Sequence, residues 1–278
     1  MLDLRSWQAR IVFGTVALLI AFFLFFPIYW LVISALKTDA ELYRLRPTLF
    51  PETLTLTHFG TALFRGNLPL HLMNSLIVSL SSATINTVLA VYAGYSFAKY
   101  RYFGRKPVML FMLSAQMFPF GLLLVALYPA YADLGLINTR LGLTLSYIVF
   151  ALPVATYMLY SYFSQVPNEL IEAARADGAS DLRIFHTIVL PISAPPIITV
   201  FLYSFMWSWN DLLYSMTLIT SEQLRTVGPG LLLNYLNEVN SDWGGAMAAS
   251  LLAALPVIVG FMLLQRFFIE GVTAGAVK

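Results

Sequence analysis

Leu141–Ser164 reads LGLTLSYIVFALPVATYMLYSYFS, a run without a single charged residue. About 20 largely apolar residues suffice for a helix to cross the hydrocarbon core of a bilayer. The run is long enough, and it alternates neither with period two nor with frequent turns, so it is not a barrel strand. Comparable stretches lie at Ile11–Leu36, Leu72–Ala98, Pro107–Ala132, Ile188–Asn210 and Trp243–Gln265. The fifth is expected to start near Ala194 and to run past Asp211 toward Ile219. Six spans are therefore predicted, with Pro119, Pro153 and Pro256 kinking the helices that hold them.

Composition agrees. Of 278 residues, 59% are hydrophobic and only 11% charged, where soluble domains hold about a quarter charged residues. A net charge of +2 without a long basic run argues against nucleic-acid binding. The absence of cysteine excludes a disulfide framework and thiolate metal sites. The three histidines, His58, His71 and His186, fall in separate segments and suggest no metal site. No paired carboxylates suggest hydrolytic chemistry, so a non-enzymatic membrane protein is expected.

The first run follows Arg5 and Arg10, as a secretory signal would. It is far longer than the ~7–15 residues of a signal core, and an uncleaved helix is the expectation. Orientation follows from basic residues in the loops. With the N-terminus inside, ten lie on the cytoplasmic side (Arg5, Arg10, Lys99, Arg101, Arg105, Lys106, Arg175, Arg183, Arg266, Lys278) and six outside (Lys37, Arg44, Arg46, Arg65, Arg140, Arg225). Both termini are thus expected in the cytoplasm. Lys37 and Arg266 are expected to snorkel to the interface. Two long outer loops remain, Lys37–His71 and Thr220–Asp242, and one long inner loop, Gln165–Ser193.

The inner loop is the most informative. Asn168 is expected to cap a short helix whose first turn carries Glu169 and Glu172, where the helix dipole favours negative charge. Ala173, Ala174 and Ala176 are strong helix formers with a smooth surface. Gly178 supplies a left-handed turn. Ser180 caps a second helix in which Leu182, Phe185 and Ile188 or Val189 recur at helical spacing, and Pro191 closes it. Two short helices joined by a glycine elbow make a knob suited to a cleft on another protein.

Glu172-Ala-Ala, Gly178 six positions on, and Ile188-x-Leu190-Pro191 together resemble the "EAA" motif of binding-protein-dependent ABC importer permeases. Asp177, Ala179 and Phe185 agree with its carbohydrate-importer form. Trp207-Ser-Trp-Asn-Asp211 is similar to the W-N-D region of the same family. From about Leu72 to the end, the chain resembles the smaller permease subunit of maltose-type importers. The resemblance implies an all-α, six-helix type I permease fold with three parts. These are residues 1–70 (first helix and outer loop), 71–266 (the transmembrane domain with coupling loop 165–193) and 267–278 (a cytoplasmic tail). It implies a bacterial inner-membrane location, a second permease subunit, a dimer of ATPase subunits and an extracytoplasmic substrate-binding protein as partners. No cofactor is expected in this chain. It lacks a G-x-x-x-x-G-K-[ST] sequence, so ATP and Mg²⁺ belong to the ATPase.

Residue by residue, the resemblance makes Glu172, Ala173, Ala174, Asp177 and Gly178 the ATPase-coupling residues. Asn86, Gln116, Asn210 and Asp211 are polar groups in or near spans and are candidates for the substrate pathway, which would carry a sugar or sugar derivative. For Asp211 the alternative is a residue at the outer interface, solvated or capping a break in the helix. Asn234, Tyr235 and Asn237, an aromatic flanked by amides, are candidates for contact with the binding protein. The rival function is an ion-coupled secondary carrier, which would place ionisable residues near the midplane. A membrane-embedded scaffold or enzyme is a further alternative.

Overall fold

The computed structural model describes residues 7–236 and 241–276, and the side chains of all these except 8, 9 and 266–276. Asn237 and the tail's side chains therefore lie outside the described residues, as does the side chain of Arg266. The helices are α1 (Trp7–Ala35), α2 (Asp39–Leu42), α3 (Thr57–Phe64), α4 (Leu68–Lys99), α5 (Arg105–Ser114), α6 (Phe120–Asp133) and α7 (Arg140–Phe163). After these come α8 (Asn168–Ala176), α9 (Asp181–Ile184), α10 (Leu190–Ile192), α11 (Ala194–Trp209), α12 (Leu213–Leu218), α13 (Val227–Tyr235) and α14 (Trp243–Ala276). Among the described residues the only β-type pairing is an isolated antiparallel bridge between Leu236 and Ser241.

Four segments are single helices long and apolar enough to span: Arg10–Ala35, α4, α7 and Trp243–Gln265. The two remaining candidates are bent pairs, and counting each as one span gives six. Residues 105–117 and 120–133 meet at 100°. Phe118 and Pro119 are extended there, with ψ of 132° and 120°. Proline disfavours helical backbone in the residue before it, so Pro119 separates two helices instead of kinking one. Pro153 and Pro256, by contrast, do lie inside continuous helices. The second pair, 181–192 and 194–209, meets at 77°. α11 starts at Ala194 as expected, with Pro195 and Pro196 in its first turn, where a missing N–H costs nothing. It does not run on toward Ile219: the helix stops at Trp209, and α12 follows as a separate short helix.

The chain forms two compact units. The larger comprises residues 69–230 and 256–278. One of its cores joins Ala90, Val91 and Tyr95 of α4, Leu159 and Phe163 of α7, and Val200 of α11 to residues of the inner loop. The other gathers Val78, Leu124, Tyr131, Leu143, Tyr147, Phe150, Tyr214 and Leu218. Lipid tails are as apolar as leucine, so such cores are held by close packing and by hydrogen bonds between helices. Gly94 shows the packing: a Cβ there would stand 2.9 Å from the Leu159 Cβ and 3.0 Å from the Tyr160 nitrogen. The absent side chain lets α4 and α7 approach.

The smaller unit comprises residues 1–68 and 231–255. Here Lys37 does not snorkel. It is 2% exposed, its ammonium bonds to the Thr48 carbonyl, and it lies 4.8 Å from the centre of the Trp30 ring. A cation over an aromatic face, with a carbonyl as acceptor, has a substitute for water. Glu41, equally buried, accepts from the Thr48 hydroxyl and the Glu52 amide. The Thr48 hydrogen bond holds its carboxyl below the ordinary value.

Candidate functional site

The inner loop folds as two short helices and an elbow. α8 is entered through Pro167, and Asn168 is its first residue. The expected Asn168 cap is not formed, because its Oδ1 accepts from Lys99 Nζ at 2.9 Å. α8 ends in a Schellman motif: Ala179 N–H donates to the Ala174 carbonyl at 3.0 Å and Gly178 N–H to the Arg175 carbonyl at 2.9 Å. Gly178 sits at φ +84°, the left-handed turn its position requires. A Cβ there would meet nothing within 4 Å, so the need for glycine is conformational and not steric.

Ser180 caps α9, its Oγ accepting from the Arg183 amide at 3.4 Å. The backbone then widens into a π-turn over Phe185–Val189, with Leu190 N–H bonded to the Phe185 carbonyl. Pro191 has no N–H to offer an α-helical bond, and the wider register carries the chain past it. Pro191 therefore does not close the segment, which runs to Ile192 and ends at Ser193.

Burial divides the loop into two faces. Ile171, Ala174, Ile184, Phe185 and Val189 pack into the core shared with α4, α7 and α11. Ala174, expected on the smooth surface, thus faces inward. Leu182, expected on the apolar stripe, is 66% exposed, and Ile184, two residues on and on the opposite side of the helix, takes the inward place. Glu172, Ala173, Asp177 and Gly178 are exposed together with Leu170 and Leu182. The outward face is a carboxylate, a methyl, a glycine turn and two leucines without cover.

Contacts missed in the sequence lock this knob in place. Lys99, the last residue of α4, donates to the Val166 carbonyl at 2.5 Å as well as to Asn168. Arg175 Nε meets Asp181 Oδ1 at 2.8 Å across the elbow, and Asp181 holds the guanidinium pKa above its ordinary value. Tyr95 of α4 packs on Phe185 with ring centres 4.6 Å apart and the rings tilted by 42°. The one available signal was the aromatic and basic ending of α4, Tyr95 to Tyr100, which composition alone assigns to an interface.

The four pathway candidates differ in burial and in partners. Asn86 is fully buried, its amide bonded to Ser204 Oγ of α11 at 2.5 Å, while its Oδ1 has no partner among the described residues. Gln116 is exposed in the bend before α6 and donates to the Phe150 carbonyl of α7 at 2.8 Å. Asn210 is exposed and turns back to the Met206 carbonyl. Asp211 caps the break after α11: its carboxylate accepts from the amides of Ser215 (2.9 Å) and Tyr214 (3.4 Å) and from the Tyr147 hydroxyl (2.7 Å). The capping alternative describes Asp211 as it stands.

In the outer loop, Asn234 bonds to the Gly66 carbonyl at 2.9 Å. Tyr235, expected at the loop surface, is 3% exposed, with Gly66 and Gly245 both against its ring. The ring lies between two glycines, next in sequence to the Leu236–Ser241 bridge. The structure also brings Asp39, His58 and Asp242 together, ligand atoms within 4.8 Å of one another, a grouping that sequence spacing could not reveal. His58 Nε2 is bonded to the Lys37 carbonyl at 2.9 Å.

With this geometry in place, the chain can be compared with known proteins. Residues 86–273 match the family model described as the binding-protein-dependent transport system inner membrane component. The chain is 31% identical to a diacetylchitobiose uptake system permease protein of Streptomyces coelicolor, over 99% of both chains. It is 33% identical to a trehalose/maltose transport system permease protein of Thermococcus litoralis, over 94% of both. A maltodextrin transport system permease protein of Bacillus subtilis is 37% identical over 82% of both. In fold, it superposes on a chain of a bacterial ABC transporter that imports the acidic polysaccharide alginate, with a TM-score of 0.81 at 22% identity, covering 96% of this chain and 99% of that one.

Proposed function

Because the chain belongs to the binding-protein-dependent transport system inner membrane component family, we propose that it forms half of the translocation pathway for a sugar or sugar derivative. It is a permease subunit of an ABC importer and makes or breaks no bonds itself. Importers of this family work with a second permease, an ATPase and a substrate-binding protein. The exposed elbow supports the finer reading, in which loop 165–193 docks on a dimer of ATPase subunits that carry ATP and Mg²⁺. Glu172, Ala173, Asp177 and Gly178 form the outward surface of that knob, and Ala174 roots it in the core.

Coupling needs a difference in how the ATPase binds the inward- and outward-facing states; a partner that holds both equally shifts neither. The knob suits this task because its inner face is continuous with helices of the bundle. A displacement of α8 reaches α4 through Lys99 and reaches α7 and α11 through the shared core. An ion-coupled carrier is disfavoured both by the family and by Asp211, which is committed to capping.

The observation that carries the proposal is the left-handed Gly178 elbow inside the matched residues. Its test is purification of the chain with its genomic neighbours and reconstitution in liposomes. An ATPase subunit should co-purify, and uptake of a sugar should require ATP and the binding protein. Uptake driven by an ion gradient without ATP would overturn it.

A further inference from the structure

The segment Tyr100-Arg-Tyr-Phe-Gly-Arg-Lys-Pro107, which links α4 to α5 and includes the first turn of α5, takes no part in the elbow. Phe103 is fully exposed, with no side chain over it. Tyr102 is folded back beside Phe97, ring centres 6.3 Å apart, and Arg105 is spent on the Tyr100 carbonyl at 2.9 Å. Arg101 and Lys106 are exposed, and among the described residues neither forms an ion pair. Residues 101–107 line a shallow hollow of about 330 Å³, and Gly104 turns the chain there at φ +87°.

We propose that this segment is a docking site for the headgroup of an anionic phospholipid, with Arg101 and Lys106 on the phosphate and Phe103 among the acyl chains. It rests on the reading of the chain as a membrane permease. The segment begins directly after a span that ends at Lys99, which sets it at headgroup depth. Val108, Leu110 and Phe111, just beyond it, are half to three-quarters exposed and need an apolar surrounding. Two unpaired cations beside a bare aromatic ring, at the boundary between polar and apolar solvent, complement a lipid that carries both kinds of group. A soluble protein partner would satisfy the charges and leave the adjoining apolar face uncovered. Each basic group near an anionic membrane surface contributes ~1 kcal/mol, about fivefold in affinity.

The test uses the assembled, delipidated complex in detergent, titrated with short-chain phosphatidylglycerol, short-chain phosphatidylcholine or inorganic phosphate and followed by native mass spectrometry. Phosphatidylglycerol should bind more tightly than phosphatidylcholine. Arg101→Gln combined with Lys106→Gln should weaken phosphatidylglycerol binding about 25-fold, ~1 kcal/mol for each charge. Phe103→Ser should weaken binding of the lipid and not of phosphate. Equal binding of the two lipids, or undiminished phosphatidylglycerol binding by the double variant, would overturn the proposal. So would loss of the ATPase from the double variant with lipid binding intact, which would mark a protein contact. Absence of an ATPase from the wild-type complex would instead refute the permease reading.

Discussion

Lys99 and Asn168, 69 residues apart in sequence, are joined by a 2.9 Å hydrogen bond that fixes the end of a membrane span to the first residue of α8. With the second bond from the same ammonium to the Val166 carbonyl, it is the direct polar link between α4 and α8. Hydrogen bonds from a charged group contribute more than neutral ones, and their removal should loosen this joint by about 1–2 kcal/mol. Lys99→Met is expected to lower sugar transported per ATP hydrolysed while basal ATP turnover and assembly persist; Lys99→Arg should restore much of it. An unchanged transport-to-ATP ratio in Lys99→Met would remove the joint from the coupling path.

Gly178 offers a graded test of the elbow. Its φ of +84° is costly for any residue with a Cβ, by roughly 1–2 kcal/mol, and least costly for asparagine. Since a Cβ would meet no neighbour, the cost is confined to the backbone. Transport should therefore fall in the order Gly178→Asn, Gly178→Ala, Gly178→Pro. Proline, locked near −65°, should uncouple the complex without preventing ATPase association. Proline tolerated as well as asparagine would show that the left-handed turn is not needed.

The elbow was legible in the sequence because its signals are local: a glycine at the helix end and a serine cap are decided within a few residues. The spans were legible for the same reason, as hydrophobicity is summed over a window. What could not be read depends on distant partners. Lys37 looks like a snorkelling lysine until the Thr48 carbonyl and Trp30 ring are placed around it. Tyr235 looks like a contact residue until Gly66, far away in the chain, is found beneath it. The bend at Pro119 was half legible: proline announced a break, but the 100° turn depends on both Phe118 and Pro119 being extended.

Asp211 permits charge to be separated from capping. Its Oδ2 receives the Ser215 amide and the Tyr147 hydroxyl, both of which an amide oxygen at that place can accept, and only the long 3.4 Å contact from the Tyr214 amide to Oδ1 would be given up. Asp211→Asn should keep near-normal transport and stability, since asparagine caps as well as aspartate. Asp211→Ala should destabilise the chain by about 1–2 kcal/mol and leave the buried Tyr147 hydroxyl without this acceptor. Thermal unfolding of the purified complex reads the stability, and vesicle uptake the function. Loss of uptake in Asp211→Asn at unchanged stability would show that the charge itself serves transport.

Both termini are expected on the cytoplasmic side, given six spans and the basic residues near Lys99–Lys106. Reporter fusions after Met1 and after Lys278 should both report the cytoplasm. A reporter active only outside at either end would mean that one of the bent pairs does not cross the membrane.

The outer hairpin separates structural support from function. Leu236 and Ser241 pair as an antiparallel bridge, and Asp242 N–H returns to the Tyr235 carbonyl at 2.8 Å, so the chain enters and leaves the hairpin at one fixed place. Residues 237–240, including Asn237, can then be replaced by Asn-Gly, the pair that closes a two-residue turn with the twist such strands require. The binding protein's expected contact should be lost: stimulation of ATP turnover by that protein falls, and basal turnover and assembly stay. Tyr235→Phe should change neither, because the hydroxyl is buried without a partner among the described residues and its removal leaves no donor stranded. Tyr235→Ala should instead destabilise the complex, by about 3–5 kcal/mol as for other buried aromatic rings, whatever the binding protein does. Full stimulation in the Asn-Gly variant would make the hairpin an ordinary interfacial loop and move the binding-protein contact elsewhere on the outer face.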